Sequence, residues 1–298
     1  MQLEYMRNVY LKSARNVLKT EGPKSLIIES LRFLSLYYTP DKIFRYWLHR
    51  LAGTDWVMRE VQGSLMLLNL KEKGIHIDLY LNGIREPRAT KYLQSILQPD
   101  WQVIDVGANI GYYALQEGKK CSYVIALEPD RKNYDLLKLN VLLNDYTIQT
   151  ENLAVGDITG KVRFDTSKIS NWRMVSPTGN TEVDIIKLDD LLTAKFDFLR
   201  MDVEGYELNI LLGAEYTIKN NRLGMFIEVH NQLLQTYNHT VREFYEFLAG
   251  YDYSIEKSFV MAPTREGPAG KVADILKDKE AFNALAIKSI ASHVFFRR

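Results

Sequence analysis

The amino-acid sequence predicts an α/β protein: a mainly parallel seven-stranded sheet with helices on both faces, preceded by an N-terminal helical segment. Three observations carry this. From residue 101 to 230, short apolar runs alternate with helix-patterned stretches, the pattern of βαβ units whose crossovers cover a parallel sheet. The first run, VIDV, passes directly into the glycine turn GANIG. Three runs deliver an acid near their carboxyl ends, Glu128, Asp202 and Glu228, at the edge where open α/β sheets bind ligands.

Residues 1–52 read as an accessory helical segment, with Leu26, Ser30, Phe33, Leu34 and Tyr37 at three-to-four spacing between the breaks EGPK and TPDK. They hold nine Lys/Arg against four acids, which suits a helical cap with a solvated basic face; peripheral contact with anionic lipid is the second reading. MQLEYMRNVYLKSARN lacks the apolar core of a signal peptide. SLIIESLRFLSLYY is interrupted by Glu29 and Arg32 and is far shorter than the roughly 20 residues that span a bilayer. A cytoplasmic location is therefore expected.

Residues 53–298 form the main domain in this reading. Between Gly53 and Gly83 two strand-like pieces, SLMLLNL and IHIDLYL, are separated by glycine turns, and EPRATKYLQSIL is helix-like. Then come the strands WQVIDV, YVIALE, TIQTENLAV, FDFLRMD and MFIEVH, with helices through YALQE, NYDLLKLNVLLN and ELNILLG. YDYSIEKS and HVFFRR close the count as an antiparallel edge pair.

Composition narrows the class. With 46% hydrophobic and 25% charged residues the chain is an ordinary globular protein. A formal charge of +1 gives no reason to expect a nucleic-acid partner. The single cysteine, Cys121, excludes an intrachain disulfide and a cysteine-built zinc site.

Gly107, Asn109 and Gly111 form GxNxG rather than the dinucleotide fingerprint GxGxxG. Asparagine tolerates left-handed backbone, so Asn109 fits a tight turn. Asp105, just before the turn, favours an ammonium or sulfonium over a phosphate, which points to S-adenosylmethionine. Glu128, one βαβ unit downstream, is placed to accept both hydroxyl hydrogens of a ribose. Ala154 and Asp157, at the end of the next run, are candidates for the adenine side.

At the chemical end, Asp202 and Glu204 follow one strand, and Glu228 and His230, two apart and so on one face, follow its neighbour. Methyl transfer needs the acceptor oxygen held in line with the sulfonium methyl, and a base to take its proton. His230, with a reference pKa near 6.5, is the natural base, with Asp202 orienting it or taking the proton itself. Oxygen-rich acids also suit Mg²⁺, although no residue is assigned to a metal.

VIDVGANIGYYAL, ALEPDRKNYDLLKLNVLLND, NLAVGDITGKVRF, IKLDDLL, FDFLRMDVEGYELNILLGA and MFIEVH, in that order, resemble the FkbM-type methyltransferases, S-adenosylmethionine-dependent O-methyltransferases of antibiotic, glycan and polysaccharide pathways. The resemblance covers roughly residues 80–232. Arg200 stands where that family usually has lysine. The resemblance implies a class I methyltransferase (Rossmann-like) fold with Asp105, Gly107, Asn109, Gly111 and Glu128 around the donor, and Asp202 and Glu204 at the reaction edge. The expected activity is methyl transfer to a hydroxyl of a sugar, glycan precursor or natural product. The alternatives are an N acceptor or a non-catalytic nucleoside-binding scaffold. Arg85, Glu86 and Trp172 are candidate acceptor contacts.

Overall fold

The computed structural model describes Ile27, Ser30 and residues 42–167, 174–191, 195–260, 265–286 and 291–298. The chain divides into two compact units, one of residues 1–61 and 66–83 and one of 62–65 and 84–298.

In the first unit Ile27 and Ser30 are helical and helix α1 spans Lys42–Leu51, whereas Leu26, Phe33, Leu34 and Tyr37 lie outside the described residues. Strands β1 (Trp56–Val61) and β2 (Ser64–Asn69) form a two-stranded sheet. IHIDLYL, expected as a strand, is instead helix α2 (Ile75–Asn82). Its alternating text imitates a strand, but Ile75, His76, Leu79 and Tyr80 are the buried residues, which is helical spacing. Gly83 ends the helix in the left-handed conformation at φ 67°, its N–H bonded to the Leu79 carbonyl. Among the described residues no helix is long and apolar enough to cross a membrane.

The second unit carries the main sheet. Helix α3 (Pro87–Ile96) precedes β3 (Gln102–Val106), followed by α4 (Tyr112–Gly118), β4 (Tyr123–Leu127), α5 (Arg131–Leu142) and β5 (Ile148–Glu151). The chain then leaves the sheet. The run TIQTENLAV does not continue as one strand: β6 (Ala154–Val155), β7 (Gly160–Asp165), β8 (Met174–Val175) and β9 (Thr181–Ile186) make a separate four-stranded sheet in the order β6-β9-β7-β8. The main sheet resumes with β10 (Phe198–Met201), α6 (Glu207–Leu212), β11 (Gly224–Val229), α7 (Val241–Gly250), β12 (Ser254–Val260), the two-residue strands β13 (Arg265–Glu266) and β14 (Gly270–Lys271), and β15 (Ser292–Arg297).

Its order is β13-β12-β15-β11-β10-β3-β4-β5, with β14 also on β12. The seven longer strands are those expected; the two short strands bring the sheet to nine. β5, β4, β3, β10 and β11 run parallel. β15 inserts between β11 and β12 and is antiparallel to both. The chain winds outward from β3 to β5 and restarts at β10 on the other side of β3. That reversal opens a crevice beyond the carboxyl ends of β3 and β10. The central strands are sealed: Val103, Ile104, Phe198, Leu199, Met225 and Ile227 are all fully buried.

Candidate active site

The turn after β3 is held open by its backbone. Gly107 (φ 77°), Asn109 (φ 53°) and Gly111 (φ 94°) all adopt left-handed conformations. A Cβ on Gly107 would collide with the carbonyl oxygen of Asp202, so glycine is what lets the turns after β3 and β10 touch. A Cβ on Gly111 would lie 2.9 Å from the Leu137 side chain on α5.

Glu128, beyond β4, is 5% exposed, and its carboxylate is held by the turn after β3 and by the start of α5. Oε2 accepts the Asn109 N–H at 2.8 Å and Oε1 the Asp130 N–H at 2.9 Å. The helix cap belongs to Asp130, whose side chain accepts from the Asn133 N–H. Glu128 therefore sits against the glycine turn rather than capping α5.

Asp105 lies deeper than the turn it precedes. It is fully buried, and Oδ1 is 3.1 Å from Nη1 of Arg200. Burial pushes its carboxyl up against the opposing pull of Arg200. Arg200 joins the two halves of the site: Nη1 also donates to the Gly107 carbonyl at 3.2 Å, and Nη2 to Asp202 Oδ2 at 2.9 Å. Its guanidinium lies 4.3 Å over the ring of Tyr113 on α4. Ala154 is buried in the core with Val155, and Asp157 takes a 3.4 Å hydrogen bond from Tyr206 Oη.

Beyond β10 and β11 the four expected reaction-edge residues converge. His230 Nε2 lies 3.4 Å from Glu204 Oε2, 3.7 Å from Glu228 Oε1 and 4.0 Å from Asp202 Oδ1. Glu207, in the first turn of α6, fixes the imidazole: its Oε1 is 2.7 Å from Nδ1 and accepts the backbone N–H groups of His230 and Gly205. Glu204 itself is in the left-handed region at φ 54°, a conformation that costs a non-glycine residue on the order of 1–3 kcal/mol and clusters at functional sites. Asp202 is the most open of the four, its side chain 24% exposed against 15% for Glu204, 8% for Glu228 and 7% for His230.

Charge sets the protonation pattern. Burial, then the Glu228 charge, pushes Asp202 up to about 6; burial, followed by the carboxylates of Asp202 and Glu228, pushes Glu204 up to about 8 despite His230. His230 is driven well above the usual imidazole range, the Glu207 hydrogen bond and the nearby carboxylates outweighing burial. Glu228 is held low, because His293 and His230 outweigh its burial.

A second buried group closes the site behind Glu228. His293, opposite Glu228 in the β11–β15 register, has Nε2 2.9 Å from Glu86 Oε2 and 3.3 Å from Glu228 Oε2. Burial lowers its pKa, but the two carboxylates raise it to about 10. Glu86 also pairs with Arg85 Nε at 2.9 Å and accepts from Tyr113 Oη at 2.9 Å. Arg85 and Glu86 thus belong to the same constellation, whereas Trp172 lies outside the described residues.

Sequence reasoning missed Glu207, His293 and Tyr113 and noted Arg200 only as a departure. Glu207 carried a faint signal, an acid in the first turn of the helix after DVEG. His293 had none, since nothing in HVFFRR reveals that this strand inserts beside MFIEVH.

A family model described as the methyltransferase FkbM domain matches residues 105–255, just over half of the 298. The chain belongs to the FkbM methyltransferase family. With the strand order above, this makes the main sheet a class I methyltransferase fold. No curated protein matches the sequence. Solved structures that resemble it include an FkbM methyltransferase from Methylobacillus flagellatus KT, 17% identical, covering 96% of this chain and 60% of that one, at a TM-score of 0.45. TYW2 of M. jannaschii in complex with AdoMet is 13% identical, covering 82% and 87%, at 0.43. The Pyrococcus abyssi tRNA (uracil-54, C5)-methyltransferase, in complex with S-adenosyl-L-homocysteine, is 10% identical, covering 73% and 44%, at 0.44. The present chain thus spans 60% of the length of the first of these, less than two thirds.

Proposed function

We propose that the chain is an S-adenosylmethionine-dependent O-methyltransferase acting on a hydroxyl of a sugar, glycan precursor or natural product. The observation that carries this reading is a junction. The left-handed turn Gly107–Gly111, braced by Glu128, meets the carboxylate and imidazole cluster of Asp202, Glu204, Glu228 and His230 through one buried residue, Arg200.

The residues present fit the donor. Its adenosyl group would be held by the turn at Gly107, Asn109 and Gly111, with Glu128 as acceptor for the ribose hydroxyls and Asp157 toward the base. Bound there, S-adenosylmethionine supplies an electrophilic methyl group on a sulfonium. Asp105 contributes through Arg200 rather than by facing the donor, and buried Ala154 supports the wall.

Asp202, the most exposed member of the cluster, is the residue best placed to meet an acceptor hydroxyl as its proton leaves. His230, held by Glu207 through Nδ1, turns Nε2 toward the carboxylates around it. Glu228, clamped by His293, anchors the back of the cluster. An acid-lined edge suits a hydroxyl that must lose a proton, which favours oxygen over nitrogen as acceptor. The near-neutral charge supports an acceptor other than nucleic acid, and a cytoplasmic location belongs to the same reading.

Calorimetry with S-adenosylmethionine and with NAD, followed by methyl-transfer assays on a hydroxylated glycan and natural-product panel, tests this. Tight S-adenosylmethionine binding with turnover on a hydroxyl is expected. Binding of NAD alone would refute the donor; binding without turnover on any acceptor would favour a nucleoside-binding scaffold.

A further inference from the structure

His230 faces a problem of charge that its hydrogen bonds do not solve. Glu207 Oε1, 2.7 Å from Nδ1 and itself accepting two backbone N–H groups, fixes Nδ1 as the donor. Nε2 is then aimed at Asp202, Glu204 and Glu228 from a side chain only 7% exposed. Among the described residues Nε2 makes no hydrogen bond: its neighbours stand 3.4, 3.7 and 4.0 Å away. A charged N–H donating to one carboxylate closes to about 2.7–2.9 Å. Three separations that are all longer, around one nitrogen, describe ligands arranged about a shared centre. With bonds of about 2.1 Å, adjacent ligand atoms lie roughly 3.0 Å apart in an octahedron and 3.4 Å in a tetrahedron, so an ion at this centre would draw Glu228 and Asp202 in from their 3.7 and 4.0 Å.

We infer that this cluster is a divalent-cation site, with His230 Nε2, Glu228 Oε1 and Asp202 Oδ1 as protein ligands and Glu207 as the carboxylate that orients the imidazole. One ligand atom from each of the three residues lies within 4.8 Å of the others. Glu207–His230 has the form of the carboxylate–histidine pairs that support metal sites, in which the outer carboxylate fixes tautomer and ring orientation. Glu204 Oε2 adds an oxygen at the rim. His293 gives a second reason to read the cluster as built for charge. It is 1% exposed and is paired with Glu86 at 2.9 Å and with Glu228 at 3.3 Å. It holds Glu228 from behind through Oε2 and leaves Oε1 facing His230.

The imidazole decides the class of cation. Oxygen-only sets suit Mg²⁺, whereas a mixed imidazole and carboxylate set favours first-row ions such as Mn²⁺, Fe²⁺ and Zn²⁺. The Mg²⁺ that the acids alone would suit therefore gives way to an ion that binds nitrogen. This deepens the reading of the site given above and rests on it for the cation's use, not for its presence: with Oδ2 on Arg200 and Oδ1 toward the cation, Asp202 would act on the acceptor hydroxyl by holding the ion beside it rather than as a free base.

The full chain, stripped with a chelator, is titrated with Zn²⁺ and with Mn²⁺ by calorimetry, and metal content is counted by mass spectrometry. One ion per chain is expected, with Mg²⁺ weaker. Glu207→Gln should weaken binding about 10–100-fold and His230→Gln should remove it, with circular dichroism reporting the fold. Electron-spin-echo spectroscopy of Mn²⁺ on the unmutated chain needs no variant, and a coupled imidazole nitrogen is expected. No stoichiometric ion, affinity unchanged in His230→Gln, or a Mn²⁺ signal without nitrogen coupling would each overturn the assignment. S-adenosylmethionine calorimetry on the stripped chain separates the two ideas: donor binding without any metal binding overturns this inference alone, and metal binding without donor binding overturns the methyltransferase reading alone.

Discussion

Replacing Arg200 by methionine, which keeps much of the length and removes the charge, tests the junction of the site. Arg200 is 3% exposed and serves four partners: Asp105 at 3.1 Å, Asp202 at 2.9 Å, the Gly107 carbonyl at 3.2 Å and the Tyr113 ring at 4.3 Å. Removing one member of a buried ion pair costs about 3–5 kcal/mol, because the other is left uncompensated. Here that member is Asp105, which has no exposure through which water could replace the guanidinium. At about 2–4 °C per kcal/mol for a domain of this general size, the melting temperature should fall by roughly 6–20 °C. Arg200→Lys keeps the charge but not the fork that reaches Asp105 and Asp202 together, so its loss should be smaller. The assay is thermal unfolding by circular dichroism in a double-mutant cycle with Asp105→Asn. If the buried pair is the cause, the double variant recovers part of the loss. A single-variant cost below about 1 kcal/mol, in the range of an exposed pair, or strict additivity of the two substitutions would show that the buried pair is not what holds this junction.

Gly107→Ala should lower stability and abolish S-adenosylmethionine binding in calorimetry, since a Cβ there meets the Asp202 carbonyl and the residue sits at φ 77°; unimpaired affinity would remove the turn from the donor site. Glu128→Gln exchanges a charged acceptor of two backbone N–H groups for a neutral amide, and hydrogen bonds to charged groups contribute about 1.5–3 kcal/mol, so donor affinity should fall at least tenfold. His230→Ala should lower turnover strongly while leaving donor binding intact, as steady-state kinetics beside calorimetry will show. Burial, followed by the Glu117 charge, pushes the Cys121 thiol up to about 12. Raising a thiol's pKa removes thiolate at every lower pH, so iodoacetamide at pH 8 should label the folded chain far more slowly than the denatured one; equal rates would contradict the burial.

The parallel half of the sheet was legible because its strands are apolar on both faces and each is followed by a helix with its own period. Val103, Ile104, Val124, Ala126, Leu199 and Phe226 are all buried, and such runs read clearly in one dimension. IHIDLYL was misread because period-two text over seven residues fits a strand as well as a helix buried on one side. The small sheet from Ala154 to Ile186 went unseen because β6 and β8 have only two residues each and gain their pairing from distant partners. In the site, the glycine turn and the strand-end acids were visible because local spacing fixes them. The contacts of Arg200 with Asp105 and of His293 with Glu228 depend on strand neighbours far apart in sequence, and no local signal records them.

In the proposed enzyme the turn after β3, together with the carboxylate at the end of β4, holds the adenosyl donor against the acidic edge of β10 and β11. A crystal structure with S-adenosylhomocysteine tests it most directly. Ribose hydroxyls on Glu128 and a thioether sulfur facing Asp202 are expected. A ligand bound elsewhere, or a ribose turned away from Glu128, would contradict it.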